Sequence, residues 1–279
     1  MPIPKLLVVA LVGAGAAGFL VADYVRVPGV DNDVATHPST NKLGYLAASE
    51  LPNTVSLLPP PPSPGSPAMR LDEEAREAAL PLKGSARYSL AAADAVRAHQ
   101  NTVDDFQCAF GTAIDRQSTP SLYELLSRVR LDVRAASYAA KLHFKRKRPF
   151  DVHNSQTCYS DDEAMARGDY SYPSARGAVG WSYAIVLAEL RPDRKEQMLN
   201  RARDFGESRI ICDQEWKSDI EAGKTVAMAT LDRIRATEKY RADYKAAQQE
   251  VARQLASRVL PTANCARETS ALASREAGR

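Results

Sequence analysis

The chain has 279 residues, 44% hydrophobic and 25% charged, with a formal net charge of +3. That is the composition of an ordinary folded protein with room for one sizeable domain plus terminal segments. A charge so near balance gives no bulk argument for nucleic-acid binding.

Lys5 precedes an apolar run from Leu6 to Ala22, which Asp23 ends. A positive start, an apolar stretch and small residues predict an export signal over residues 1–22, with Ala14-Gly15-Ala16 as one cleavage site and Leu20-Val21-Ala22 as a poorer one. The alternative is an uncleaved anchor, although the run is slightly shorter than the roughly 20 residues a spanning helix prefers. Any membrane contact is then expected only through this segment. Residues 23–66 carry Val27-Pro28-Gly29 and the prolines 59–62, and read as an extended Pro-rich arm whose Tyr45, Leu46 and Leu51–Leu58 pack on a domain surface.

From Ser66 onward the pattern is helical. Ser66-Pro67 opens a helix that Pro81 and Gly84 break. Ala86–Ala98 and Val103–Thr112 are the next two. Thr119-Pro120 starts a long helix to about Phe144, with Ser121 and Glu124 at capping-box spacing. Arg148-Pro149 stops it, and a loop runs from Asp151 to Tyr172. Ser174–Leu190 is apolar almost all round, which predicts a buried central helix. Further helices are expected over 192–212, 216–236 and 240–255, with an irregular tail over 261–279. The fold class is all-α, a helical bundle over residues 67–260.

Cys108, Cys158, Cys212 and Cys265 permit two disulfides in an exported chain, in any of three pairings. No C-x2-C pair is present, which argues against a zinc site. No motif calls for a metal or another cofactor.

Three blocks carry the chemistry. Lys141-Leu-His-Phe-Lys-Arg-Lys-Arg148-Pro149 ends the long helix, Tyr172-Pro173-Ser174-Ala175-Arg176 opens the buried one, and Ser208-Arg209 precedes Glu215-Trp-Lys-Ser-Asp219. Lys141, Arg148 and Arg209 are cations suited to a tetrahedral anion, the arginines by bidentate contact. Ser174 adds a hydroxyl, and the helix behind it adds unpaired backbone N–H groups. The run Lys145-Arg146-Lys147-Arg148 reads mainly as a solvated face; nothing beside it resembles a nucleic-acid recognition element, and no nucleic-acid partner is expected.

In this order the blocks resemble the signature of the bacterial class A acid phosphatases, K-x6-RP, PSGH and SR-x5-H-x3-D. That family lies within the superfamily of type 2 phosphatidic acid phosphatases and vanadium haloperoxidases. Tyr45-Leu46, Leu57–Pro62, Leu82-Lys83-Gly84, Tyr138–Lys141 and Gly180-Trp181 extend the resemblance over most of residues 43–236. It implies a periplasmic phosphomonoesterase, with a nucleophilic histidine at position 215 and a histidine general acid at 176. Asp219 would orient the nucleophile, and Lys141, Arg148, Ser174, residue 175 and Arg209 would bind the phosphoryl oxygens.

Here position 215 is Glu, position 176 is Arg and position 175 is Ala. An arginine does not serve as a general acid near neutrality. The leading expectation is therefore a diverged homologue that keeps the anion pocket without the histidine chemistry and binds a small phosphorylated or other anionic ligand. An enzyme using Glu215 and Arg176 in altered chemistry is the alternative. A partner-binding or structural protein, for which a homo-oligomer is one form, is the next. Arg176 and Glu215 are expected to pair with each other. His143 is expected to face away from the pocket, whereas His153 in the following loop is a candidate to swing in.

Overall fold

A computed structural model describes residues 44–160 and 163–273. The export segment 1–22 and the first part of the Pro-rich arm lie outside the described residues, all of which belong to the compact unit beginning at Asp31. All regular secondary structure among the described residues is helical. The elements are α1 (Thr54–Leu57), α2 (Pro67–Ala79), α3 (Ala86–Ala95), α4 (His99–Phe110), α5 (Pro120–Phe144), α6 (Pro149–Val152), α7 (Glu163–Arg167), α8 (Ala175–Leu190), α9 (Lys195–Ile211), α10 (Lys217–Ala236), α11 (Glu238–Ala256) and α12 (Cys265–Ala273). None of these helices is long and apolar enough to cross a membrane.

The apolar α8 runs through the middle, as its sequence predicts. Ala178, Tyr183, Ala184, Val186 and Leu187 are fully buried among Leu125, Val129 and Val133 of α5, Met198 and Phe205 of α9, and Val226, Leu231 and Ile234 of α10. Two glycines set the close approaches. A Cβ on Gly180 would stand 2.4 Å from the Phe205 ring, and one on Gly223 would stand 2.6 Å from the Ser174 carbonyl oxygen. The second contact brings α10 against the start of α8, where two of the three sequence blocks meet.

Two local expectations are corrected. Ser121 and Glu124 do not close a capping box. Instead Glu250 of α11 reaches across, and its two carboxylate oxygens accept the N–H groups of Ser121 (2.9 Å) and Leu122 (3.0 Å). A tertiary partner thus satisfies the orphan donors that local sequence suggested would be met nearby. The tail also is not wholly irregular. Cys265–Ala273 forms α12, tied to α4 by the Cys108–Cys265 disulfide and by a 3.4 Å ion pair from Glu268 to Arg201 of α9. The other disulfide joins Cys158 to Cys212 at the end of α9.

The described part of the arm, from residue 44 onward, packs as an ordered strap. Leu58 is buried in the core, Tyr45, Leu46 and Leu51 pack against it, and the Tyr45 N–H donates to Asp132 of α5 at 2.7 Å. Burial pushes the Asp132 carboxyl up to about 6, against the opposing pull of the Tyr45 and Leu46 N–H groups and of Arg128. A folded-state value raised above the ordinary 3.8 favours the protonated form. Its contribution is complete below about pH 4 and is lost as pH rises through 6. Asp132→Asn, which cannot ionise, is expected to lose less stability than the wild type between pH 4.5 and 7. Urea midpoints at the two pH values check this, and equal losses refute it.

Candidate functional site

The three blocks converge. Ser174 is the N-cap of α8; its Oγ accepts the Gly177 N–H at 2.7 Å, and its own N–H donates to the Asp219 carbonyl at 2.9 Å. The preceding Tyr172–Pro173 bond is cis. Ala175 is the first residue of α8 and Arg176 the second.

The turn from α9 into α10 presents Glu215. Asp213 adopts a left-handed conformation (φ 59°), and its carboxylate accepts two bonds from Arg76 of α2, at 2.6 and 3.1 Å. The Cys158–Cys212 disulfide and the Phe150 N–H on the Asp213 carbonyl (3.0 Å) fix the same turn. Glu215 is left 3% exposed with its carboxylate at the meeting point. The Ser174 hydroxyl donates to Oε2, Arg209 Nε lies 3.5 Å from Oε2, and an Arg148 terminal nitrogen lies 3.6 Å from Oε1. Burial alone would push this carboxyl up; Arg209, Arg148, Lys141 and the Ser174 bond outweigh it and hold it below its ordinary range. Glu215 is an anion at neutral pH.

The cations have further partners. Lys141 is buried and donates to the carbonyls of Tyr170 and Ser171 (3.2 Å to the latter); burial lowers its ammonium to about 8. Arg148 donates to the carbonyls of Ala166 (3.1 Å), Tyr170 (3.1 Å) and Gln214 (3.0 Å), and to the Asp169 carboxylate at 2.9 Å. Segment 166–171 therefore lies as a strap across Lys141 and Arg148. Arg209 also donates to the Gln214 side-chain oxygen.

Asp219, completely buried, accepts the Trp216 N–H (2.7 Å) on Oδ2 and Arg146 (2.6 Å) on Oδ1. Burial raises it to about 6 in spite of both bonds. Arg146 was the residue the sequence hid. The run 145–148 follows the end of α5 in a non-helical segment, so its side chains alternate: Lys145 and Lys147 are exposed, while Arg146 and Arg148 turn inward. Arg146 bridges Asp219 to Asp72 of α2 (2.7 Å) and to the Ser218 hydroxyl (2.7 Å). Four consecutive cations gave no sequence signal for Arg146, because the alternation appears only with the backbone conformation. Asp72, an acid near the start of α2, and Asp169 gave none.

Arg176 and Glu215 do not pair. The Arg176 guanidinium turns away beneath the α3–α4 connection, where it donates to the carbonyls of Asp94 (2.7 Å) and Val96 and to Thr102 Oγ1 (3.0 Å). The Asp94 and Val96 carbonyls belong to the C-terminal end of α3, which leaves acceptors that a cation suits. The guanidinium also lies 5.1 Å from the centre of the Phe205 ring. Burial and then the nearby Arg209 bring it down to about 9. Glu215 meanwhile has Ser174, Arg148 and Arg209 as closer partners. Neither named histidine enters the site: His143 is exposed, and His153 bonds Glu73 at 3.0 Å.

Among the described residues no cluster of three or more His, Cys, Asp or Glu side chains is placed to hold a metal ion. An open groove of about 530 Å³, lined by Glu189, Arg235, Tyr240, Arg241 and Tyr244, shares no residue with this site.

A helical bundle that gathers a Lys, two Arg, a Ser N-cap and a helix start around position 215 has the layout expected of an acid-phosphatase-type protein. The sequence is 33% identical over 250 residues to a non-specific acid phosphatase of Providencia stuartii, covering 89% of this chain and 98% of that one. It is 36% identical over 191 residues to a non-specific acid phosphatase of Salmonella typhimurium, covering 68% and 76%. An acid phosphatase of Zymomonas mobilis is 34% identical over 194 residues, covering 70% and 74%. No family model matches the sequence. The chain belongs to the class A non-specific acid phosphatase family.

Proposed function

We propose that this chain is an exported, periplasmic member of the family that retains the anion cradle and has lost the histidine phosphotransfer. Its ligand is a small phosphorylated or otherwise anionic molecule. One observation carries the reading: Ser174, Arg148 and Arg209 all converge on an anion, and that anion is the side chain standing where the nucleophile is expected. Arg176, at the general-acid position, is committed to backbone carbonyls and, even brought down to about 9 by burial, stays above the range that suits a general acid near pH 5 to 7.

Two measurements test the reading. Hydrolysis of a generic aryl phosphate between pH 4 and 8 is expected to stay at background in the wild type. Turnover that disappears in Glu215→Gln would instead establish a carboxylate-centred enzyme. Phosphate, sulfate or vanadate is expected to raise the melting temperature, since a ligand at 100 times its Kd adds about 2.7 kcal/mol. The absence of any shift, in the wild type and in Glu215→Ala alike, would leave only a partner-binding or structural role.

A further inference from the structure

We infer that the Glu215 carboxylate is a built-in occupant of the anion cradle, so that an external oxyanion enters only as this side chain leaves. The inference rests on the reading of the cradle given above and concerns its regulation.

The geometry is that of a bound ligand. The carboxylate is reached by Ser174 from α8, by Arg209 from α9 and by Arg148 from the segment before α6. These three contacts come from separate elements and meet on two oxygens. Both arginines stand at ion-pair distances, 3.5 and 3.6 Å, beyond directed hydrogen bonds. A tetrahedral oxyanion offers more oxygens and a wider radius than a carboxylate, so it would fill the same cradle more fully. The occupant is also tethered. Glu215 follows the fixed turn at Cys212–Asp213 and precedes α10, so its effective concentration at the cradle is that of an intramolecular ligand. A free anion must compete with it.

The groups around Glu215 are Lys141 of α5, Arg148 before α6, Ser174 of α8, Arg209 of α9 and Asp219 of α10, with Asp169 of the strap behind Arg148. The cations keep Glu215 ionised, so its competition is strongest at neutral pH and weakens as acid protonates it. Anion affinity is therefore expected to rise as pH falls.

The experiment is calorimetric titration with inorganic phosphate, sulfate and acetate at pH 7, comparing the wild type with Glu215→Ala. Glu215→Ala is expected to bind phosphate and sulfate at least tenfold more tightly than the wild type. It is also expected to bind acetate, as the detached equivalent of the missing side chain, whereas the wild type does not. Equal affinities in the two proteins, abolished in both by Arg209→Ala, would overturn self-occupancy and leave the anion-binding reading intact. Acetate binding without phosphate or sulfate binding would support self-occupancy and sink the oxyanion reading. Binding of none of the three anions to folded Glu215→Ala overturns both. If the alanine variant does not fold, Glu215→Gln keeps the shape. Sulfate, which stays a dianion through the ordinary carboxylate range, is then expected to gain affinity more steeply with the wild type than with Glu215→Gln as pH is lowered through and below that range, where Glu215 protonates. Parallel pH profiles overturn the inference.

Discussion

Arg176→His combined with Glu215→His is expected to give an active phosphatase, with kcat/KM for an aryl phosphate at least ~100-fold above either single variant. Two changes act together. A neutral imidazole at position 215 no longer neutralises Ser174, Arg148 and Arg209, so a phosphate dianion can enter and meet a nucleophile at once. Asp219 lies four residues further on, in the first turn of α10, and above its raised pKa of about 6 it is the anion that an oriented imidazole requires. At position 176 the shorter histidine gives up the carbonyls of Asp94 and Val96 and supplies a group that titrates in the working range. A general acid contributes about 10²–10⁴ in rate, and nucleophile and acid act as a unit, so the singles are expected to fall far short of the pair. A double variant that melts cooperatively, binds phosphate and still shows no turnover would mean that the cradle itself has moved out of line.

Most of the bundle was legible because helix signals here are strong and local. Pro67 and Pro120 each stand first in a helix, and the unbroken apolar stretch of α8 does lie at the centre. The errors fell where a distant residue replaced a local device. Glu250 caps α5 from 128 residues away, and α12 is held by Cys108 and Arg201, neither of which its own sequence announces.

The site divides in the same way. Short motifs named the cradle residues, because the spacing within each block survives whatever surrounds it. They did not show where long side chains would go. Arg176 has several rotatable bonds and five donors, and the C-terminal carbonyls of α3 outcompete Glu215 for it. Arg146 was invisible for the opposite reason: it sits in a run of four basic residues, and only the backbone conformation decides which of them turn inward.

The largest stability loss is expected from Asp94→Ala. Asp94 is completely buried, and its carboxylate takes two bonds from Arg201, at 2.5 and 3.1 Å, and one from the Ser208 hydroxyl at 2.5 Å. Its carbonyl also holds Arg176. Ser208 precedes Arg209 and is bonded as well by Arg87 at 2.9 Å, so one carboxylate links α3 and α9 beside the cradle. Alanine leaves Arg201, only 2% exposed, without its main counter-charge, and breaking such a pair costs about 3–5 kcal/mol. Glu268, at 3.4 Å from Arg201, offsets part of that. The cost comes from the stranded cation and not from the pair's net worth. Replacing both partners, Asp94→Ala with Arg201→Met, is therefore expected to be milder than the sum of the two singles in urea unfolding. By contrast, removing the exposed pair between Arg235 and Glu189 is expected to cost under about 1 kcal/mol. Strict additivity of the Asp94 and Arg201 substitutions would show that the two residues act independently and that the buried ion pair does not organise this side of the site.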